Sequence, residues 1–197
     1  MLVFWKQRLV FMAVPKTGTS AYARALGDRA DLVVRDPPEL KHAPVYRYNR
    51  FFRPLYEKLM DTEMELMAVV REPVSWLGSW YRYRQRPFMR GRPNSTEGVS
   101  FDDFVRGYMQ GQRPAWANVG SQAKFVEPTK NGCRVHHLFR YENQARLIDF
   151  LESRLEVTLD LPRENVSPRR DLALSPEVER RLRRKCAAEF ELWESIQ

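Results

Sequence analysis

The residues best suited to chemistry stand together in Pro15-Lys-Thr-Gly-Thr-Ser20. An ammonium group, hydroxyls and a glycine in so short a span can hold an anion of phosphate size. The segment follows the apolar run Leu9–Val14 and leads into a helix-forming stretch from Thr19 to Leu26. A buried strand therefore feeds a tight loop that opens a helix. Backbone N–H groups at such a helix start point outwards, and the helix dipole adds partial positive charge. Residue order excludes the usual triphosphate loop. In a Walker A loop the lysine follows the last glycine and precedes Ser or Thr, whereas Lys16 comes two residues before Gly18.

The second informative segment runs from Val69 to Tyr81. Arg71 falls at the carboxyl end of an apolar run, and Ser79 follows about two helical turns later. An arginine fork and a serine hydroxyl can bind a second phosphate. Each also has an ordinary alternative, since Arg71 could pair with Glu72 and Ser79 could be a small packing residue. A base candidate is His42, beside Lys41 and just past Asp36-Pro37-Pro38. A neutral imidazole near its reference pKa of about 6.5 suits proton removal at neutral pH. The competing His136 and His137 sit within a predicted strand, which turns at least one of them towards the core or a helix layer.

Pro15-Lys-Thr-Gly-Thr-Ser20 resembles the 5′-phosphosulfate loop of the sulfotransferases that use 3′-phosphoadenosine 5′-phosphosulfate (PAPS). Arg71-Glu-Pro with Ser79-Trp-Tyr81 resembles the 3′-phosphate motif of the same family, and the match is closest to its carbohydrate-type and bacterial members. Weaker echoes lie in Phe139-Arg-Tyr-Glu142, Asn165-Val-Ser167 and Leu174-Ser-Pro-Glu177. The resemblance implies a P-loop-like α/β fold and transfer of a sulfuryl group from PAPS to a hydroxyl, or less readily an amine. The product would be 3′-phosphoadenosine 5′-phosphate (PAP). Carried over by position, Lys16 stabilises charge on the departing 5′-phosphate. The backbone of Thr17, Gly18, Thr19 and Ser20, with the Thr19 and Ser20 hydroxyls, cradles that phosphate. Arg71 and Ser79 bind the 3′-phosphate, and His42 takes the acceptor's proton. Arg169 and Arg170 are candidates to approach the 3′-phosphate as well. The implied partners are PAPS and a small-molecule, carbohydrate or lipid acceptor, with no metal and no nucleic acid.

These residues need elements to position them. Leu9–Val14 is the first expected strand, Leu32–Arg35 a short second, Leu66–Val70 a third and Arg134–Phe139 a fourth. Helices are expected from Thr19, over Val45–Met60 with a break at Pro54, from Pro73 to Arg84, from Ser100 to about Met109, and from Asn143 to Leu155. A final amphipathic helix, capped by Ser175-Pro176-Glu177, runs towards Trp193. Gln85–Val99 and residues 111–121 read as loops, the first of them mobile. Alternating strands and helices predict an α/β, three-layer sandwich with a mostly parallel central sheet. In such sheets ligands bind outside the carboxyl ends of the strands, where the first loop lies.

The chain of 197 residues reads as one domain, with hydrophobic and charged fractions of 43% and 29% that suit a soluble globular protein. Net charge is +8, which favours anionic ligands but equally describes a solvated basic face. Two cysteines and three histidines at unrelated spacings form no zinc-type cluster and suit a reducing compartment. Lys6, Gln7 and Arg8 interrupt the apolar start, and no run has the length of a bilayer span. The expectation is a cytoplasmic protein. Two other readings compete with the transferase, a P-loop kinase or NTPase and a non-enzymatic polyanion-binding protein. The first is disfavoured because Arg-Glu stands where a Walker B aspartate would hold Mg²⁺. The second lacks any recognisable nucleic-acid-binding module.

Overall fold

A computed structural model of the chain describes residues 1–161 and 172–197. The described residues divide into two compact units, one made of residues 1–71, 122–161 and 196–197, the other of 72–121 and 172–195.

The first unit is built on a five-stranded sheet. Its strands are β1 (Leu2–Phe4), β2 (Leu9–Phe11), β3 (Leu32–Val33), β4 (Glu65–Val70) and β5 (His137–Arg140), in the order β3-β1-β2-β4-β5. β2, β4 and β5 run parallel, while β1 is antiparallel to both β2 and β3. The sheet is therefore mixed rather than mostly parallel. The correction comes from β1, a strand that the sequence reading did not contain. The repeated triplets Leu2-Val-Phe4 and Leu9-Val-Phe11 pair as a hairpin, closed where the Arg8 N–H donates to the Trp5 carbonyl at 3.0 Å. Arg8 supplies the left-handed turn residue, with φ 50°.

Helices α1 (Thr19–Leu26) and α7 (Gln144–Leu155) cover one face. Tyr22 and Leu26 from α1, and Leu147 and Leu151 from α7, pack with Leu9, Phe11, Met67, Val69 and Phe139. The alternate residues Val3, Val10, Leu66, Ala68 and Val70 are buried as well. β4 thus reads as a continuous apolar run because both of its faces are covered. The unit is completed by α2 (Pro38–Lys41), α3 (Val45–Phe51), a π-helical turn over Leu55–Leu59 after Pro54, and α6 (Gln122–Val126). Tyr48 of α3 and Tyr56 stack on each other with ring centroids 6.4 Å apart.

The second unit is helical, with α4 (Pro73–Arg84), α5 (Phe101–Tyr108), α8 (Pro176–Lys185) and α9 (Ala187–Ser195). Trp76, Leu77, Tyr81, Phe104, Val105, Leu182 and Phe190 form its core. Pro73 stands in the first turn of α4, and the Glu72 carboxylate caps it by accepting from the N–H groups of Val74 and Ser75. Ser100 caps α5 as expected. Ser175 makes no side-chain cap of α8; its N–H donates to Asp102 at 3.0 Å instead. The expected final helix is two helices, broken at Cys186.

Leu147 is fully buried at the contact of α7 with the sheet. Leu147→Ala should lower unfolding free energy by about 2–5 kcal/mol, read from urea denaturation. A loss under ~1 kcal/mol would mean that this face is not closely packed.

Candidate functional site

The site begins where β2 leaves the sheet. The Met12 N–H still donates to the Met67 carbonyl at 2.9 Å, but Ala13 and Val14 continue buried beyond the paired residues. A buried carbonyl without a partner is costly, and each finds a side chain. The Val14 carbonyl accepts from the fully buried Thr17 hydroxyl at 2.9 Å. Between them Lys16 takes φ 67°, and Gly18 follows with φ 77°. Two left-handed residues so close together fold the loop back on itself. At Lys16, which is not glycine, this costs of order 1–2 kcal/mol. Gly18 is required twice over, by its φ and because an added Cβ would lie 3.1 Å from the Tyr141 ring. α1 starts at Thr19, so the N–H groups of Thr19 and Ser20 belong to the first turn, where no helical carbonyl serves them.

His42 terminates the short α2, and its Nδ1 lies 2.6 Å from the Ala13 carbonyl oxygen. A carbonyl oxygen only accepts, so Nδ1 carries the hydrogen and Nε2 keeps the basic lone pair. Burial lowers the pKa of this imidazole below its ordinary value, outweighing the hydrogen bond to Ala13, which raises it; Lys41 and the Met1 α-amino group push in the same direction as burial. His42 is thus a neutral base in a fixed tautomer. His136 and His137 sit at the opposite, amino ends of β4 and β5. The Leu66 N–H donates to His136 Nδ1 at 2.9 Å, and His137 Nε2 lies 2.9 Å from the Glu65 carboxylate, which also meets Arg154.

Arg71 follows β4, the neighbouring parallel strand. Gln122 clamps its backbone on both sides: the amide oxygen accepts the Arg71 N–H at 2.9 Å, and the amide nitrogen donates to the Arg71 carbonyl at 2.8 Å. The guanidinium lies over the Tyr141 ring, 4.5 Å from its centroid. Tyr141 therefore touches both the arginine and the glycine turn. Lys16–Ser20, His42 and Arg71 all belong to one edge of the first unit's sheet. Ser79 is the seventh residue of α4, in the second unit.

Beside the loop, on the flank formed by β1 and β3, is a cavity of about 410 Å³ reached by Thr19, Ser20, Arg24, Arg35 and Lys41. The other basic segments have different fates. Arg84 is buried and donates to the carbonyls of Ala115 and Asn118, both at 2.8 Å. The Gln85–Val99 loop is pinned where buried Thr96 donates to the Tyr81 carbonyl. Arg180, Arg181, Arg183 and Arg184 are exposed, as expected. Arg169, Arg170 and the Asn165-Val-Ser167 echo lie outside the described residues.

Two residues of the site escaped the sequence reading. Tyr141 was visible only as part of the echo Phe139-Arg-Tyr-Glu142. Gln122, directly after an irregular stretch, carries no pattern that marks it. Known protein-family models give no match to this chain, and curated proteins give none either.

The depressed pKa of His42 fixes a sign. The unfolded chain takes up its proton at about 6.5, the folded one at lower pH. Within that window the unfolded state holds more protons, so stability rises with pH there, is complete above it, and falls as His42 is forced to charge. A histidine proton NMR titration should place the His42 midpoint below 6.5, with the Nδ1–H tautomer on its alkaline side. A midpoint at or above 6.5 would contradict the buried geometry.

Proposed function

We propose that the protein is a PAPS-dependent sulfotransferase acting on a hydroxyl, less readily an amine, of its acceptor by in-line displacement. The observation that carries this reading is the common sheet edge of the Lys16–Ser20 turn, Arg71 and a neutral, tautomer-fixed His42. The parallel trio β2, β4 and β5 with its loop-to-helix turn also supports the finer reading of a three-layer, P-loop-like sulfotransferase fold, to which β1 is an antiparallel addition, with β3 beyond it running in the direction of the trio. Both cysteines are free thiols, which suits a cytoplasmic setting.

PAPS supplies a sulfuryl group bonded through oxygen to the 5′-phosphate, so transfer leaves PAP and a sulfated acceptor. The chain's part is to position reactants and to stabilise charge. The Thr17–Ser20 backbone, with the Thr19 and Ser20 hydroxyls, holds the 5′-phosphate, and Lys16 neutralises the charge that grows on its departing oxygen. Arg71 receives the 3′-phosphate with its planar fork, kept in place by Gln122 behind and Tyr141 beneath. The resemblance gives Ser79 a supporting hydroxyl there. His42 Nε2 accepts the proton that the acceptor hydroxyl loses, while its Nδ1–H stays on Ala13.

Calorimetry with PAP, its analogue lacking the 3′-phosphate, and ATP tests the donor. PAP should bind at least about tenfold more tightly than the analogue, and Arg71→Ala should erase that difference. Equal binding, or none, would sink the proposal.

Transfer activity tests the base and the loop. His42→Ala should retain PAP binding while transfer falls by about 10²–10⁴. Lys16→Ala should likewise lose transfer far more than thermal stability. A His42→Ala variant that still turns over its acceptor removes His42 from the base role, and an unfolded Lys16→Ala variant makes Lys16 structural.

A further inference from the structure

We infer that the cavity beside the loop is the acceptor site and that it takes a small molecule with an apolar body and an anionic group. This rests on sulfuryl transfer being the reaction. Sheet order separates two flanks of the Lys16–Ser20 turn. β4 and β5, with Arg71 and Tyr141, lie on one side of β2, and β1 and β3 lie on the other. The residues that line the cavity come from β2 and its continuation, from the second flank, and from α1 and α2, with none from β4 or β5. Arg71, assigned to the donor's second phosphate, and this space therefore fall on opposite sides of the loop, which leaves the space free for a second reactant.

The walls specify the ligand. Leu2, Phe11, Ala23 and Val33 provide an apolar surface. At the rim Arg24, Arg35 and Lys41 set three cations against the single carboxylate of Asp36. Neither Arg35 nor Lys41 is joined to a carboxylate by an ion pair among the described residues. Positive charge focused over low-dielectric walls favours an anion and disfavours a neutral sugar. A volume of about 410 Å³ suits one small molecule rather than a polymer segment. The same wall holds the chemistry. Thr19 and Ser20 bound the cavity from the loop, Ala13 bounds it through the residue whose carbonyl orients His42, and Lys41 directly precedes His42 in the chain. An acceptor seated there presents its hydroxyl to the loop at Thr19 and Ser20, with its anion on Arg35 and Lys41.

Matched probes test this: 4-hydroxyphenylacetate against its amide, and 6-hydroxyhexanoate against its amide. Binding is measured by calorimetry with and without saturating PAP, and transfer is measured from labelled PAPS. Each acid should bind about tenfold more tightly than its amide, the effect of one charge-assisted contact. PAP should not displace it. Arg35→Gln should bring the acid-to-amide ratio of kcat/KM towards one, and Lys41→Gln reads the same ratio independently. Equal affinities, no measurable binding of either acid, or displacement by PAP overturns the inference. If PAP fails to bind while the acids still discriminate through Arg35, the donor assignment falls and the anionic-ligand assignment stands. If PAP binds and the acids do not discriminate, the donor assignment stands and this one falls.

Discussion

Two central strands, β2 and β4, run out of sheet partners while still inside the protein, and their last polar backbone groups need partners from elsewhere. At the end of β2 the carbonyls of Ala13 and Val14 are taken by His42 and Thr17. At the end of β4 both backbone groups of Arg71 are taken by Gln122. An unpaired buried carbonyl would cost about 1–3 kcal/mol, so these are not optional contacts. They decide the shape of the loop, the tautomer of the histidine and the position from which the arginine side chain departs. The candidate chemistry and the backbone accounting are thus one arrangement.

The parallel trio β2, β4 and β5 aligns three carboxyl ends, and the hairpin adds a fourth element to the same edge. Because β1 is antiparallel, its first residues return to where β2 finishes, with Leu2 opposite Phe11. β3 reverses again and brings Val33 opposite Leu2. An all-parallel extension would need helical crossovers to reach that position. Here β1 joins β2 through a four-residue turn, β3 returns in the direction of β2 after α1, and the wall they make holds the basic cavity. The departure from a mostly parallel sheet is therefore what gives the loop its second flank.

How far this was legible depends on the range of the interactions. The turn from Leu9 to Leu26 is written in contiguous residues, an apolar run, a proline, a glycine and a helix former. Its reading needed only local rules. Pro73, Ser100 and Asn143 marked helix starts for the same reason, and the structure has all three. β1 was missed because its turn, Trp5-Lys-Gln-Arg8, has none of the Gly or Asn that usually announce a hairpin; Arg8 adopts the left-handed conformation without the expected residue type. Gln122 and Tyr141 were out of reach for a different reason. Gln122 acts across 51 residues on Arg71, and no local spacing records a contact of that length. The +8 charge was ambiguous for a similar reason. Arg84 spends its guanidinium on two buried carbonyls, while Arg35 stands at a cavity rim, and composition weighs them alike.

The histidine shows how such a constraint can set reactivity. Its hydrogen bond to Ala13 satisfies a buried carbonyl and at the same time makes the ring a better base, since a carbonyl acceptor stabilises the protonated form. Burial and the adjacent Lys41 work the other way and prevail. The outcome is an imidazole that stays neutral at physiological pH yet is polarised through Nδ1, with Nε2 as its only basic atom. A fully exposed histidine would lack the fixed tautomer, and one paired with a carboxylate would hold its proton more tightly. The strand end of β2 offers only a carbonyl, and a carbonyl is the partner that fixes the ring without charging it.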